Sequence, residues 1–552
     1  MLKRSFNAFL KTAPDKPELY PYLYSIGFKD LTTAKKEIKV SPVACNQCGA
    51  ILTEIEQIKE DSKIGTYFKC EFCGTINLVS KDLIFEKLTD DMDFIVEDVQ
   101  EKKPKEREKI TSVGASQGDL YISVIDVSGS MGGAKIEAVK KSLIQTIKDF
   151  KVNAPATKFF LVAFESSVHY YLGHDRPPIT FAGDMLLSLD ELKIALEKGV
   201  KKGQKVGSIG EFADAWIRKV SELHSMDMTA LGPALYLAII SFELFKFTGG
   251  RLTLLTDGMA NQGVGNLSGT SMGAEKFYNH MADSCNKNNI VVDIVGVSSP
   301  GDNNEMGLQI LGNITDKTGG KMFLISDQEM GAVFKELQEI KHIGRDVTLR
   351  LIMPQGINIK NVTGAYGSTD IKESEIKLGA VTEDRELYIE LDATKGLKKE
   401  IDEVPVQLQV NYKDKEGRQR LRVINDHVKI TKNVDDFKSN YDQKLNAMYN
   451  IQFAGVSQYA GKGGESKKRL EGLKDNLQKE YSALMSMNRS FHAKSDFDEG
   501  LGFIEEELNE LKLEDERAKL APQASFMATS GQARYRMSQN ELKKKIEKKK
   551  EK

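Results

Sequence analysis

The sequence predicts a multidomain α/β protein: a doubly wound, Rossmann-like trunk carrying a four-cysteine ribbon, an antiparallel β-sandwich and a C-terminal helical domain. Three observations predict it. Residues 118–342 alternate near-continuous apolar strands with amphipathic helices, the pattern of a parallel sheet covered on both faces. Residues 41–80 hold two matched Cys-x-x-Cys pairs. From residue 346 the chain switches to short runs with period-two alternation separated by turn residues.

The bulk properties set the frame for these elements. At 552 residues the chain has room for about three or four domains. Its 40% hydrophobic and 29% charged composition is that of an ordinary globular protein. A net charge of −2 gives no global attraction to nucleic acid. No apolar run reaches the length of a transmembrane helix, so none is expected. The opening MLKRSFNAFLKTAPDK lacks the apolar core of a signal peptide, and acidic residues follow too soon for a transit peptide. The five cysteines are too few for a disulfide framework, and a reducing, cytoplasmic setting is expected.

In chain order, residues 1–40 form a mixed N-terminal segment, expected to hold a short helix and a strand and a candidate to join the sandwich. Residues 41–80 are the ribbon, and 81–117 are an extended stretch (LIFEKLTDDMDFIV) followed by a charged linker. The trunk, 118–342, opens with the strand LYISVID (120–126), after which Ile136, Val139, Leu143 and Ile147 recur at helical spacing. Further strands are KFFLVAF (158–164), RLTLLTD (251–257), NIVVDIVGVS (289–298) and KMFLIS (321–326), the last followed by the helix of DQEMGAVFKELQEI. The sandwich, 346–432, has about six strands: VTLRLIMP, INIKNVTG, EIKLGAV, RELYIELDA, VPVQLQVNY and RQRLRVIND. Asp414-Lys415-Glu416-Gly417 is the turn between the last two. Residues 433–519 read as helical with a break at Ala460-Gly461-Lys462-Gly463-Gly464. The polar tail, 520–552, ends in a segment from Arg534 with nine Lys or Arg and three Glu, and reads as a solvated end. No repeat of solenoid type is visible.

Cys45-x-x-Cys48 and Cys70-x-x-Cys73 are 21 residues apart, each pair followed by glycine (Gly49, Gly74). Two such knuckles bring four thiolates to one tetrahedral centre, for which Zn²⁺, at about 2.3 Å from each sulfur, is the natural ion. Four protein ligands leave no open position, so the zinc is expected to be structural. Two matched pairs argue against a redox Cys-x-x-Cys, and no further Cys or His nearby supplies the second site of a RING ligase. Cys285, alone on a helical stretch, reads as a core or neutral surface residue.

The strand 120–126 ends in Asp126, and Ser128 and Ser130 follow on the next loop. Thr229 lies just before the helix begun by Gly232-Pro233-Ala234, and Asp257 ends a later strand. Ligands bind outside the carboxyl ends of strands in an open parallel sheet, where strand order reverses, so all five oxygens can meet at one rim. An oxygen-only set suits a hard divalent cation such as Mg²⁺. With three hydroxyls and two carboxylates the ion stays electron-poor and can recruit a carboxylate from a partner. The alternative is a metal-free capping cluster, since Ser and Asp are common helix caps.

These five residues resemble the metal-ion-dependent adhesion site of the von Willebrand factor A fold. Carried over by position, Asp126, Ser128 and Ser130 stand for its first loop, Thr229 for the second-loop threonine and Asp257 for the third-loop aspartate. Some ligands act through water in that family. The domain order resembles the inner-coat subunits of the COPII vesicle coat over roughly residues 40–515. YFKCEFCGTIN looks like that family's second zinc knuckle, and VPVQLQVNYKDKEGRQRLRVI like its sandwich hairpin. The resemblance implies two departures. That family adds a C-terminal gelsolin-like domain, which in one branch carries an arginine that stimulates GTP hydrolysis; this sequence ends in its basic tail, so that role is not expected. Its adhesion site tends to be eroded, whereas the pattern here is intact. The trunk and ribbon also look similar to part of the circularly permuted Ras proteins of some protists, without a GTPase in this chain.

Other signals are weaker. Gly461-Lys462-Gly463-Gly464-Glu465-Ser466 lacks phosphate-loop spacing and a preceding strand. The histidines form no HExxH and pair with no nucleophile motif. Arg350 sits in an alternating strand and needs no nucleic acid to explain it. Leu470, Leu473, Leu477 and Leu484 suggest a helical hairpin without a sustained heptad seam. The expectation is a non-enzymatic, cytoplasmic protein-binding scaffold of inner-coat type that uses Mg²⁺ at the rim to hold an acidic group of a protein partner. Two alternatives stand beside it: a vesicle-coat adaptor in transport from endoplasmic reticulum to Golgi, contacting anionic membrane, and a structural component of a cytoskeletal filament assembly.

Overall fold

In a computed structural model of the chain, the described residues are 3–10, 20–39, 41–53, 58–79, 90–96, 120–173, 176–200, 206–225, 228–257, 260–267, 271–297, 308–325, 330–339, 341–363, 375–393, 402–439, 441–459, 468–479 and 501–509, except 8, 35, 477, 503, 506 and 507. They fall into two compact units. One is drawn from residues 1–111, 342–454 and 464–506, the other from 112–341, 455–463 and 507–552. The charged linker, the glycine break at 460–464 and the basic tail lie outside the described residues.

The described part of residues 1–40 contains strands and no helix: β1 (Lys3–Phe6), β2 (Phe9–Leu10), β3 (Tyr22–Gly27) and β4 (Lys36–Ile38). The ribbon is a three-stranded antiparallel sheet of β5 (Ile58–Asp61), β6 (Gly65–Lys69) and β7 (Ile76–Leu78). A short strand, β8 (Asp91–Ile95), follows it.

The second unit opens with β9 (Leu120–Asp126), α1 (Ala134–Asn153) and β10 (Lys158–Phe164). Then come β11 (Val168–Tyr171), β12 (Ile179–Phe181), α2 (Leu189–Gly199), α3 (Ile209–Ser221) and α4 (Leu231–Leu244). The remainder is β13 (Gly250–Thr256), α5 (Ser271–Lys287), β14 (Ile290–Val297), α6 (Leu308–Thr318), β15 (Met322–Ile325) and α7 (Met330–Glu339). The strands form one sheet in the order β12-β11-β10-β9-β13-β14-β15. The five from β10 to β15 are parallel, and β11 and β12 add an antiparallel edge hairpin. That hairpin is absent from the sequence expectation, because VHYY and ITF are short and flank a Gly- and Pro-containing stretch. Alternation along β9 feeds two cores. Ile122 and Val124 pack with Leu192, Leu235, Tyr278 and Leu311 of α2, α4, α5 and α6. Tyr121 and Ile125 pack with Val139, Trp216 and Phe334 of α1, α3 and α7. Cys285 is fully buried in the first of these cores. This is the doubly wound, Rossmann-like trunk that the sequence predicts.

The six sandwich runs all form strands: β16 (His342–Ile352), β17 (Asn358–Thr363), β18 (Glu375–Thr382), β19 (Glu386–Asp392), β20 (Glu403–Lys413) and β21 (Gln419–Thr431). They are completed by strands from the first hundred residues. One sheet runs β1-β3-β19-β17, the other β18-β16-β20-β21-β8-β4, with β2 alongside β21. The pairs are antiparallel except at the margins, where β4–β8 and β2–β21 are parallel. The period-two faces of β16 and β20 (Leu349, Leu351; Val404, Val406, Leu408, Val410) bury against Ile26, Leu387 and Ile389 of the facing sheet. The β20–β21 turn is closed by Asp414 Oδ1, which accepts from the backbone N–H of Glu416 and Arg418, and by Gly417 at φ +80°. The helices α8 (Val434–Ser439) and α9 (Gln443–Tyr459) follow.

A buried ion pair fastens β8 to β21. Arg422 stands opposite Asp93, and its guanidinium forks onto Asp91 at 2.6 and 2.9 Å while donating to the carbonyls of Leu31 and Thr33. Arg420 reaches Asp93 at 2.7 Å, and the Tyr412 hydroxyl donates to the same carboxylate. Breaking a buried pair from one side strands a charge and costs about 3–5 kcal/mol. Asp91→Ala is therefore expected to destabilise this unit by about that amount. Denaturant unfolding should show the loss, with faster hydrogen exchange at the β8 and β21 amides.

Candidate functional site

The ribbon brings its four cysteines together at the tips of two knuckles. Cys45 and Cys73 have sulfurs 3.5 Å apart, as do Cys48 and Cys70, and all four sulfurs lie within 4.8 Å of one another. A tetrahedron with 2.3 Å metal–sulfur bonds has sulfurs about 3.8 Å apart, so the cluster has the size of a zinc site. Each knuckle is folded by its own backbone: Gly49 N donates to Cys45 O, and Gly74 N to Cys70 O, with both glycines in the left-handed region. Burial raises the Cys45 thiol, but the backbone of Cys48 and Gln47 and the Asn77 amide outweigh it and bring it down to about 6. Burial pushes Cys48 up to about 11 and raises Cys70 as well. Thiols this crowded cannot all ionise without a cation among them. Among the described residues no other group of three or more His, Cys, Asp or Glu side chains has this geometry.

The first knuckle is docked on the sandwich by side chains the sequence did not single out. Gln407 accepts from Ile51 N at 2.7 Å and donates to Ile51 O at 2.8 Å, replacing a strand partner. Gln409 donates to Gly49 O. Arg350, set in an alternating sandwich strand, donates to Cys48 O at 3.1 Å. It lies so close over Gly49 that a Cβ there would stand 2.6 Å from its Nη1.

At the trunk rim the topology sets the geometry. β9 lies between β10 and β13, with Phe164 in register with Asp126 and Leu255 with Ile125, so Asp126 and Asp257 emerge side by side. Asp126 is fully buried and Asp257 nearly so. Asp126 Oδ1 accepts from Ser128 N at 2.9 Å and Oδ2 from Thr256 Oγ1 at 2.7 Å. The hydroxyls of Ser128 and Ser130 are 3.1 Å apart, the first buried and the second exposed. Thr229 is buried and pinned through its backbone: its N–H donates to Asn261 Oδ1, and its carbonyl accepts from Asn261 N and Gln262 N. Its neighbour Ala230 donates to the carbonyl of Glu165, the residue after β10, which brings the Thr229 loop to the ends of β10 and β9.

The electrostatics of the rim are unbalanced. Burial first, and the Asp257 carboxylate second, push the Asp126 carboxyl up to about 7. Both carboxylate oxygens of Asp257 are buried and accept no hydrogen bond among the described residues. A buried, unsatisfied carboxylate beside a second one, with serine and threonine hydroxyls adjacent, fits a hard divalent cation. Thr256, Asn261 and Glu165 complete the setting. Of these only Thr256 had a signal in the sequence, its place directly before Asp257 at the strand end.

Residues 344–431 match the Sec23/Sec24 beta-sandwich domain. The chain resembles the COPII inner-coat subunits. It is 19% identical to the protein transport protein SEC24 of Scheffersomyces stipitis over 72% of this chain and 45% of that one. It is 24% identical to circularly permutated Ras protein 1 of Dictyostelium discoideum over 75% of this chain and 51% of that one. The chain thus spans about half the length of these curated relatives. The crystal structure of the human COPII-coat protein Sec24c shares the fold, with a TM-score of 0.60 and 16% identity, over 86% of this chain and 66% of that one. No helix among the described residues is long and apolar enough to cross a membrane.

If the rim carboxylates repel each other in the metal-free protein, Asp126→Asn should relieve the strain. In chelator this variant is expected to be more stable than the parent by about 1–3 kcal/mol, as an increase in melting temperature in thermal denaturation.

Proposed function

We propose that the chain is a non-enzymatic protein-binding scaffold of COPII inner-coat type, whose trunk rim holds an acidic group of a protein partner through Mg²⁺. The observation that carries this reading is the pair of buried carboxylates at the switch point of the sheet, one with both oxygens unsatisfied. Asp126, Asp257, Ser128, Ser130 and Thr229 would hold the ion. Once bound, it supplies a Lewis-acidic centre short of negative ligands, for which a partner's Asp or Glu is suited. Burial of Asp126 and Asp257 excludes water from one side of the rim, while the exposed Ser130 stands on its open side. The likeness to coat subunits supports a non-enzymatic role and a cytoplasmic, vesicle-coat setting. It lends nothing to the cytoskeletal alternative. On this reading residues 41–80 are a ribbon holding structural Zn²⁺ through Cys45, Cys48, Cys70 and Cys73. Residues 118–342 are the adhesive trunk, 346–432 the contiguous part of the sandwich and 433–519 the helical domain.

Two experiments test it. Affinity capture with the full chain is expected to recover a protein partner in Mg²⁺, to lose it in EDTA, and to lose it at least about tenfold with a folded Asp126→Ala variant. Capture that ignores both chelator and substitution would sink the adhesive role, and the identity of the captured protein tests the coat setting. Separately, metal analysis should find zinc bound to the parent. Cys70→Ser should lose it, together with the protection of the ribbon amides from hydrogen exchange.

A further inference from the structure

The ribbon sheet has two edges, and they differ in chemistry. β5, at one margin, carries Lys59, Glu60 and Asp61, charges of the kind that keep a further strand from pairing. β7, at the other, reads Ile76-Asn77-Leu78 and carries none. Cys70 N donates to Thr75 O and Val79 N to Thr66 O, so Cys70–Thr75, Phe68–Asn77 and Thr66–Val79 are the hydrogen-bonded pairs of the β6–β7 ladder. The N–H and C=O of Ile76 and Leu78 therefore point away from β6. Among the described residues no strand pairs on that side. Cross-strand partners share a face, so the side chains of Ile76 and Leu78 stand on the outer face with Lys69 and Tyr67 of β6 and Lys59 of β5. The inner face is already used: Phe68 and Ile58 pack there with Cys45 and Cys70. On the outer face Ile76 is 51% and Leu78 68% exposed, and Tyr67 is half-buried. Asp61, at the turn end of that face, accepts from the backbone N–H of Lys63 and Ile64.

We propose that the β7 edge is a docking site for an extended, acidic segment of a partner protein, which adds to the ribbon as a fourth strand. The outward N–H and C=O groups of Ile76 and Leu78 offer main-chain hydrogen bonds to an extended chain, and covering their side chains removes apolar surface from water. The charge of the face selects the sign of the partner. Lys69 lies in the cross-strand row of Ile76 and Lys59 in the row of Leu78, and among the described residues neither lysine is ion-paired. A residue added beside Ile76 has its backbone two strand spacings, about 10 Å, from that of Lys69, a gap that a lysine and a glutamate side chain span together. A second copy of this chain fits less well, since pairing β7 with β7 sets two groups of lysines on one surface. The site uses no residue of the trunk, so it stands apart from the metal-dependent reading of the rim.

The test pans a phage-displayed library of random short peptides against the full, zinc-loaded chain. Selected peptides are then measured by isothermal titration calorimetry and amide hydrogen exchange. They are expected to be rich in Asp and Glu between apolar residues, and to slow exchange at the Ile76 and Leu78 amides, which strand addition covers. Leu78→Pro is expected to weaken them at least about tenfold. That substitution removes an outward N–H and an apolar side chain but no β6–β7 hydrogen bond, and proline is tolerated at such an edge. Zinc content and circular dichroism establish folding, and Leu78→Lys, an edge-protecting change, replaces the proline variant if that one does not fold. Reversing both lysines, Lys59→Glu with Lys69→Glu, is expected to turn the selection from acidic to basic peptides. Acidic peptides still selected after that reversal overturn the charge selection. Peptides that leave the Ile76 and Leu78 amides unprotected, or no selection at all, overturn the docking site. Sedimentation with phosphatidylserine-containing vesicles in place of peptide binding, lost in Leu78→Pro, overturns it in favour of a lipid surface. Self-association lost in the same variant overturns it in favour of a second copy.

Discussion

Two like charges buried at the ends of neighbouring strands are the constraint around which the trunk is arranged. Asp126 and Asp257 are placed side by side by the in-register parallel pairing of β9 and β13, and that pairing is fixed by apolar side chains on both faces of the sheet. The sheet therefore cannot separate the carboxylates without losing the pairing that fills two cores. What surrounds them is compensation. Thr256 and the Ser128 amide satisfy Asp126, and Lys135 offsets part of the charge on Asp257. None of these donates a hydrogen bond to Asp257, so the rim stays unbalanced at the atoms that face the switch in strand order.

The other unit solves the same problem differently. Its sandwich needs strands from the beginning of the chain, and buried charge holds them in register. Along β8, Asp91 and Asp93 alternate with Met92 and Phe94; along β21, Arg420 and Arg422 alternate with Leu421 and Val423. The apolar sets pack together, and on the opposite face each arginine finds a carboxylate one diagonal step away. A one-residue slip would set charges against the apolar cluster and leave Arg422 buried without a partner. The glutamines of β20 then carry the first ribbon knuckle through its backbone, which positions the cysteines independently of their side-chain chemistry.

The elements legible in the sequence are those whose partners are uniform. A strand buried on both faces needs only continuous apolar residues, so LYISVID and KFFLVAF declare themselves, and Cys-x-x-Cys states its own spacing. The edge hairpin β11–β12 and the N-terminal strands are not legible, because short edge segments take their conformation from the strand they join. Arg422 illustrates the limit. In RQRLRVIND a period-two reading assigns the arginines to solvent, and they are buried only because Asp-Met-Asp, more than three hundred residues earlier, presents the matching alternation. The five rim residues were readable as a pattern. Lys135 was not, since a lysine in a first helical turn looks like an ordinary surface charge until the fold sets Asp257 beside it.

The contrast between the two units bears on function. Buried charges persist in proteins when they are paired and hydrogen-bonded, and Arg422 with Asp91 meets that rule through both oxygens of the carboxylate. Among the described residues Asp257 does not meet it, although an asparagine at 257 would remove the charge with little change in shape. On the adhesive reading proposed above, the open oxygens of Asp257 at the strand-end rim are capacity for a divalent cation, and for an acidic partner through it.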